Sequence, residues 1–172
     1  MQMNKISIQY YKSPVGEILL GSYDGKLCLA DWRYRKMRSR IDNRIQKALN
    51  AQYVEEPSEV IEQAITELKA YFRGEKKTFD TPLLMLGTAF QKSVWNGLIA
   101  IPYGTTSSYL NLAKSIGNEK AVRAVASANG ANAISIMIPC HRIIGSNGDL
   151  VGYAGGLDVK RKLLEIENNL FT

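Results

Sequence analysis

The hydrophobic pattern of this chain changes period between its first third and the rest. KISIQYY and KLCLADW, at residues 5–11 and 26–32, alternate apolar and polar positions; GEILLGS, at 16–22, is a short apolar run between them. Alternation buries one face of a pleated strand, and Asp24-Gly25 suits the positive-φ positions of a two-residue hairpin. Strands are therefore predicted over Lys5–Tyr11, Gly16–Ser22 and Leu27–Trp32. Downstream the spacing is helical. Pro57-Ser58 opens a helix with Val60, Ile61, Ala64, Ile65, Leu68, Tyr71 and Phe72 on its apolar side, and Gly74 stops it. Residues 75–88 read as a link. The expected organisation is an α/β N-terminal domain, residues 1–82, followed by a mostly α C-terminal domain, residues 83–172.

AFQKSVWNGLIAI, residues 89–101, places Phe90, Val94, Trp95, Leu98 and Ile99 on one helix face and ends at Pro102-Tyr103-Gly104. In SSYLNLAKSIGNEKAVRAVASANGAN, Ser108 caps a short helix through Ser115, Ile116-Gly117-Asn118 turns, and Glu119–Ala128 forms a second helix. Two short helices about a glycine-containing turn are the pattern of a helix-turn-helix. Helical hairpins unrelated to DNA share that pattern, so content has to decide. Beyond Lys120 and Arg123 the second helix is mostly alanine, serine and valine. Small residues such as Ala124 and Ser127 let a helix backbone approach a surface closely. A major-groove reader carries Arg, Asn or Gln for base edges. This helix suits shallow or minor-groove docking better; the competing reading packs its alanines on the protein core.

The chain holds 22 Lys and Arg against 16 Asp and Glu, a net charge of +6. That excess suits a polyanionic partner without requiring one. The densest basic run, Arg33–Arg44, is read as a solvated helix face or loop rather than a DNA contact. No run approaches a membrane span, and MQMNKISIQYYKSPVG lacks the apolar block of a signal peptide. A soluble, cytoplasmic protein is expected. Two cysteines and one histidine are too few for a usual four-ligand zinc site, so no metal and no cofactor is expected. One disulfide would be a poor framework for a chain of this size, and Cys28, within KLCLADW, reads as a core thiol.

IMIPCHRIIG, Ile136–Gly145, sets the only histidine beside one of the two cysteines. The apolar run Ile134–Ile138 reads as a buried extended segment that delivers Cys140, after Pro139, into a turn. Buried cysteines are inert by default; nucleophilic attack needs the thiolate, hence something that lowers a pKa of about 8.5. His141 is the only imidazole available. Neighbours in an extended chain point apart, so a turn or a bridging water must join the pair. A cysteine hydrolase draws its histidine from elsewhere in the sequence, and this chain has no other. The imidazole also wants an orienting acid. VKRKLLEIENN offers Glu165 and Glu167, between which periodicity alone does not choose. GYAGG, Gly152–Gly156, matches neither nucleotide-binding spacing; it reads as a mobile wall exposing backbone N–H groups to a small ligand, or as a plain loop.

From Phe90 to Glu167 the chain resembles the C-terminal domain of the O6-alkylguanine-DNA alkyltransferases (methylated-DNA–protein-cysteine methyltransferases). The resemblance rests on IPYG at 101–104, SY at 108–109, AVRAV at 121–125, ANGAN at 128–132, IPCHR at 138–142, IGSNG at 144–148, GYAGGL at 152–157 and KRKLLEIE at 160–167. It implies a ribonuclease-H-like N-terminal domain and a helix-turn-helix C-terminal domain. It implies DNA repair by direct reversal: an alkyl group on guanine O6 passes once to the protein's own cysteine, with O4-alkylthymine an open second substrate. On this resemblance Cys140 is the acceptor, His141 the base acting through water, and Glu167 its partner. Asn132 is the hinge between recognition helix and active-site segment; the family often has proline after it, and this chain has Ala133. Arg123 is the finger that fills the space of the flipped base, with Lys120, Ala124 and Ser127 against the duplex. Tyr109 rotates the target phosphate and assists departure of guanine. Tyr153 and Ala154, with Ile143 and Gly155, wall the pocket. The implied partner is double-stranded DNA, approached through the minor groove by a monomer. Two other readings compete with this one: a damage-binding relative, which would lack the acceptor cysteine, and a helix-turn-helix regulator, which would need base-reading side chains.

Overall fold

The computed structural model describes residues 4–168. The chain divides into two compact units, residues 1–86 and 87–172. In the first, β1 (Asn4–Ser13), β2 (Gly16–Tyr23) and β3 (Lys26–Trp32) form an antiparallel meander, and β4 (Ala51–Glu55) pairs parallel with β1, so the strand order is β3-β2-β1-β4. Asp24 and Gly25 have φ of 53° and 74°, the mirror-image turn that matches the twist of paired strands. α2 (Glu59–Phe72) starts at Ser58, whose hydroxyl accepts from the Ile61 amide, and it buries Val60, Ile61, Ala64, Leu68 and Tyr71. Ile65 and Phe72, expected on that face, are only partly covered. The strand β4 lies outside the predicted elements: it is five residues long and buries only Ala51, so it carries little alternation.

The basic run is part turn, residues 33–37, and part helix, and it is not a fully solvated face. Most of it lies in and before α1 (Arg38–Leu49). β3 carries the fully buried Asp31 inward, and Arg35 and Arg38 reach its carboxylate at 2.8 and 3.1 Å. Arg38 also pairs with Asp42 at 3.1 Å, and the Tyr53 hydroxyl donates to Asp42 at 2.7 Å. A buried acid has to be paired and hydrogen-bonded, and these arginines supply both. Residues 82–84 run beside β3, with Leu27 N donating to Pro82 O and Leu84 N to Leu27 O, each at 2.8 Å.

The second unit is helical. α3 (Ala89–Ile99) opens with a reciprocal cap in which Thr88 Oγ1 accepts from the Gln91 amide and Gln91 Oε1 accepts from the Thr88 amide. It buries Val94, Trp95 and Leu98, whereas Ile99 at its end is exposed. α4 (Tyr109–Ser115) is capped by Ser108, as predicted. The second helix begins later than predicted: Glu119–Ala121 is a 3-10 turn, and α5 runs Val122–Gly130. A Cβ on Gly97 would lie 2.8 Å from Leu112 Cδ1, so glycine there lets α4 pack on α3. Trp95 Nε1 donates to Ala128 O at 2.9 Å and holds α5 on the same helix. α6 (Leu157–Asn168) completes the described unit. Among the described residues no helix is long and apolar enough to cross a membrane.

Candidate active site

The segment before Cys140 is folded back on itself, not extended as predicted. Met137 N bonds to Ser135 O at 2.8 Å around Ile136, whose φ is 72°, a γ-turn that is strained for a β-branched residue. Ile138 N reaches Ile134 O at 3.0 Å. Pro139, at φ −81° and ψ 63°, centres an inverse γ-turn closed by Cys140 N to Ile138 O at 2.8 Å. Cys140–Arg142 then makes one 3-10 turn. Asn132 overrides the extended preference of this apolar run. Its Nδ2 donates to Ile138 O at 2.9 Å and its Oδ1 accepts from Ile134 N at 2.9 Å. The same Nδ2 lies 3.3 Å from Cys140 Sγ, so it stabilises negative charge on sulfur.

His141 is fully buried, and its Nε2 lies 2.5 Å from Glu167 Oε2. A carboxylate only accepts, so Nε2 carries the proton and Nδ1 of the neutral ring is left as an acceptor. Nδ1 is buried and has no hydrogen-bond partner among the described residues. Burial holds the imidazole below its ordinary pKa; Glu167 pulls the other way, and Arg142 and Lys160 push with burial. At pH 7 the ring is therefore neutral. Lys160 is itself buried, and its Nζ donates to Val151 O at 2.7 Å. Burial brings its pKa down to about 8, while Cys140 acts to raise it. Tyr109, half-buried at the start of α4, has its phenol pKa raised by burial and then by charge on Cys140, against the Asn129 side chain.

Two domain profiles match the chain: "6-O-methylguanine DNA methyltransferase, ribonuclease-like domain" over residues 6–85, and "6-O-methylguanine DNA methyltransferase, DNA binding domain" over residues 89–169. The chain belongs to the 6-O-methylguanine DNA methyltransferase family. Similar relatives include the methylated-DNA–protein-cysteine methyltransferase of Methanosarcina acetivorans, 45% identical over 159 residues, which are 92% of this chain and 96% of the relative. The constitutive methylated-DNA–protein-cysteine methyltransferase of Bacillus subtilis is 38% identical over 169 residues, 93% of this chain and 96% of that one. Among solved structures, Mycobacterium tuberculosis OGT in complex with DNA aligns with a TM-score of 0.82 at 38% identity, covering 96% of this chain and 93% of that one. The ribonuclease-like N-terminal domain and helical DNA-binding domain implied by the resemblance are thus the family's own.

In this 6-O-methylguanine DNA methyltransferase fold, Asn132, Cys140, His141 and Glu167 come together, and of the two candidate acids it is Glu167 that meets the histidine. Glu165 is partly exposed. The Tyr153 ring stands edge-on to His141, centroids 6.5 Å apart. Ala154 and Gly155 follow it, half-exposed, whereas Ile143 is fully buried beside Ser107. Lys120, Arg123, Ala124 and Ser127 are all exposed, at helical spacing on one side; Val125, Ala128 and Asn129 are buried. The alanines of α5 therefore divide, Ala124 outward and Ala128 inward. Sequence reasoning gave no role to Arg142 or Lys160. Arg142 sits inside the quoted IPCHR as a cation in an apolar stretch, and Lys160 lies on the buried side of α6 with Leu163 and Glu167.

Proposed function

We propose that this chain repairs alkylated double-stranded DNA by direct reversal, moving the alkyl group from guanine O6 to Cys140, once per molecule. The observation that carries the reading is the arrangement at His141: Glu167 occupies Nε2, so Nδ1, on the residue next to Cys140, is left to accept a proton. His141 takes the thiol proton through a bridging water. The thiolate attacks the alkyl carbon opposite O6, so the S–C bond forms as the C–O6 bond breaks. Guanine leaves with the electron pair and takes up a proton, assisted by the Tyr109 hydroxyl. Asn132 Nδ2 and the Lys160 ammonium stabilise charge on sulfur before attack. The thioether product has no facile reversal, which makes the protein a stoichiometric reagent.

Guanine O6 is out of reach within the stack, so the base must be flipped at a cost of a few kcal/mol. Arg123, exposed on α5, fills the gap it leaves. Ala124 and Ser127 are small enough for α5 to lie in the minor groove, and Lys120, exposed just before α5, meets a phosphate. Tyr153, Ala154, Gly155 and Ile143 wall the pocket, and Asn132 links α5 to the Cys140 turn. The protein acts as a monomer in the cytoplasm; both cysteines stand as buried thiols, which suits a reducing compartment. The test is a duplex carrying isotopically labelled O6-methylguanine, in excess over protein, followed by digestion and peptide mass mapping. One label per chain on the Cys140 peptide is expected. Release of methanol, repeated turnover, or label on Cys28 would overturn the reading.

A further inference from the structure

We propose that Arg142 is a positioning residue for the transfer: it fixes both oxygens of Glu167 so that Oε2 is presented to His141 Nε2 and Nδ1 alone is left to take the Cys140 proton. The proposal rests on the alkyl-transfer reading above. Arg142 Nε donates to Glu167 Oε1 at 2.7 Å and Nη2 to Oε2 at 3.2 Å. Two parallel N–H bonds fix a carboxylate's plane as well as its distance. Glu167, on α6 (Leu157–Asn168), needs such a restraint, because a long carboxylate side chain otherwise samples several rotamers. The guanidinium is anchored from behind: Nη1 donates to Ile101 O at 2.6 Å, and the Tyr103 ring lies 5.8 Å from its centre. Tyr103 in turn donates to Ile166 O at 3.2 Å, the residue before Glu167. The Arg142 carbonyl accepts from Ser107 N at 2.8 Å. Arg142 thus ties the 101–107 loop and Glu167 of α6 to the turn that carries Cys140. Its charge matters too. The groups that face His141 are Glu167, Arg142, Lys160, the Tyr153 ring and the adjoining Cys140. Without Arg142 the Glu167 carboxylate would favour an imidazolium, which cannot accept a proton. Lysine keeps the charge and loses the fork.

His141 is the only histidine in the chain, so an imidazole 15N spectrum reports one ring. In the unaltered protein it should show Nε2 protonated and Nδ1 bare at pH 7. In Arg142→Met the two tautomers should mix and the ring's titration should move up by on the order of one unit. The acid limb of the single-turnover transfer rate should follow, and the rate at pH 7 should fall about tenfold or more. Arg142→Lys should keep the titration near its original place, mix the tautomers and lose less rate. A folded Arg142→Met with the original tautomer, titration and pH profile overturns the proposal whatever its rate, because a merely structural role would leave the ring unchanged. If Arg142→Met does not fold, Arg142→Lys decides, and an unchanged tautomer with an unchanged rate overturns it. The ring measurements need no DNA. Failure of the unaltered protein to methylate Cys140 would therefore sink the transfer reading separately from the position of Arg142.

Discussion

Each compact unit holds one buried thiol and one buried acid neutralised by arginine, and the two sets have opposite chemical prospects. In the first unit Cys28 lies in β3 three residues from Asp31, whose carboxylate is taken up by Arg35 and Arg38. Burial pushes the Cys28 thiol up to about 12, with only a backbone hydrogen bond opposing. In the second, Glu167 gives both oxygens to Arg142 and still shares Oε2 with an imidazole. Cys140 there has an amide donor at 3.3 Å and a buried lysine acting on it. A buried cysteine near a salt bridge is thus no sign of reactivity. The difference lies in what is left over after the acid is neutralised: in the first unit a guanidinium nitrogen, Arg38 Nη2, which can only donate, and in the second His141 Nδ1, which has no hydrogen-bond partner among the described residues and can accept a proton.

The sharpest way to break that comparison is to exchange the thiols in turn. Cys140→Ser should bind alkylated duplex and accept no alkyl group at all, since a serine hydroxyl is far less ionised than a thiol at neutral pH. Cys28→Ala should transfer at the original rate per folded molecule while losing roughly 1 kcal/mol of stability from the small cavity. Quantitative label transfer beside urea denaturation separates the two. Any residual transfer by Cys140→Ser, or a slowed Cys28→Ala, would contradict the division of roles.

Next in size are the two buried acids that arginines neutralise, Asp31 and Glu167. Glu167→Gln should slow transfer by about 10²–10⁴-fold, because the amide no longer holds the Nε2–H tautomer or supports the imidazolium formed during proton transfer. DNA affinity should hold, since α5 is untouched. Asp31→Asn should do the reverse. It leaves two arginines facing a neutral group and should cost about 3 kcal/mol of stability, with the rate per folded molecule unchanged. Single-turnover rates and denaturation midpoints on both variants decide the matter.

Much of this contrast was legible in residue order, but unevenly. Alternation in KISIQYY and KLCLADW located strands because one face of each meets a core, and Ser58, Thr88 and Ser108 cap helices as their chemistry dictates. The 134–138 run misled because apolar, β-branched residues favour an extended chain, while the side chain of Asn132, two residues before the run, bends it through local bonds to Ile134 and Ile138 that hydrophobic pattern does not encode. Glu167 could have been chosen over Glu165 by spacing: Lys160, Leu163 and Glu167 fall at i, i+3 and i+7 on the buried side of α6. That inference required accepting a lysine as a core residue, which composition argues against. The fork from Arg142 to Glu167 joins positions 25 residues apart, and only the fold brings them within reach.

The smallest expected effect is also the most specific to the comparison, because pH should move the two units in opposite directions. Cys28 holds its proton to about pH 12 in the folded chain, whereas an unfolded cysteine loses it near pH 8.5. Above pH 8.5 the unfolded state binds fewer protons, so the first unit loses stability as pH rises, by at most about 1.4 kcal/mol per unit of pH. Tyr53, raised by burial and by its bond to Asp42, adds to that fall above pH 10. Lys160 has the contrary sign. Its folded pKa is about 8 against about 10.4 unfolded. Between those values the unfolded state binds more protons, and the second unit gains stability until Lys160 is neutral in both states. Each unit carries one buried tryptophan, Trp32 in β3 and Trp95 in α3, so Trp32→Phe and Trp95→Phe leave one fluorescent reporter apiece. Urea midpoints taken at pH 8 and pH 10 should fall for the Trp32 reporter and hold or rise for the Trp95 reporter. Adding Cys28→Ala should flatten the first trend and Lys160→Met the second. Midpoints that shift together in both reporters, or that ignore those two substitutions, would mean that the thiol and the ammonium do not set the pH response of their units.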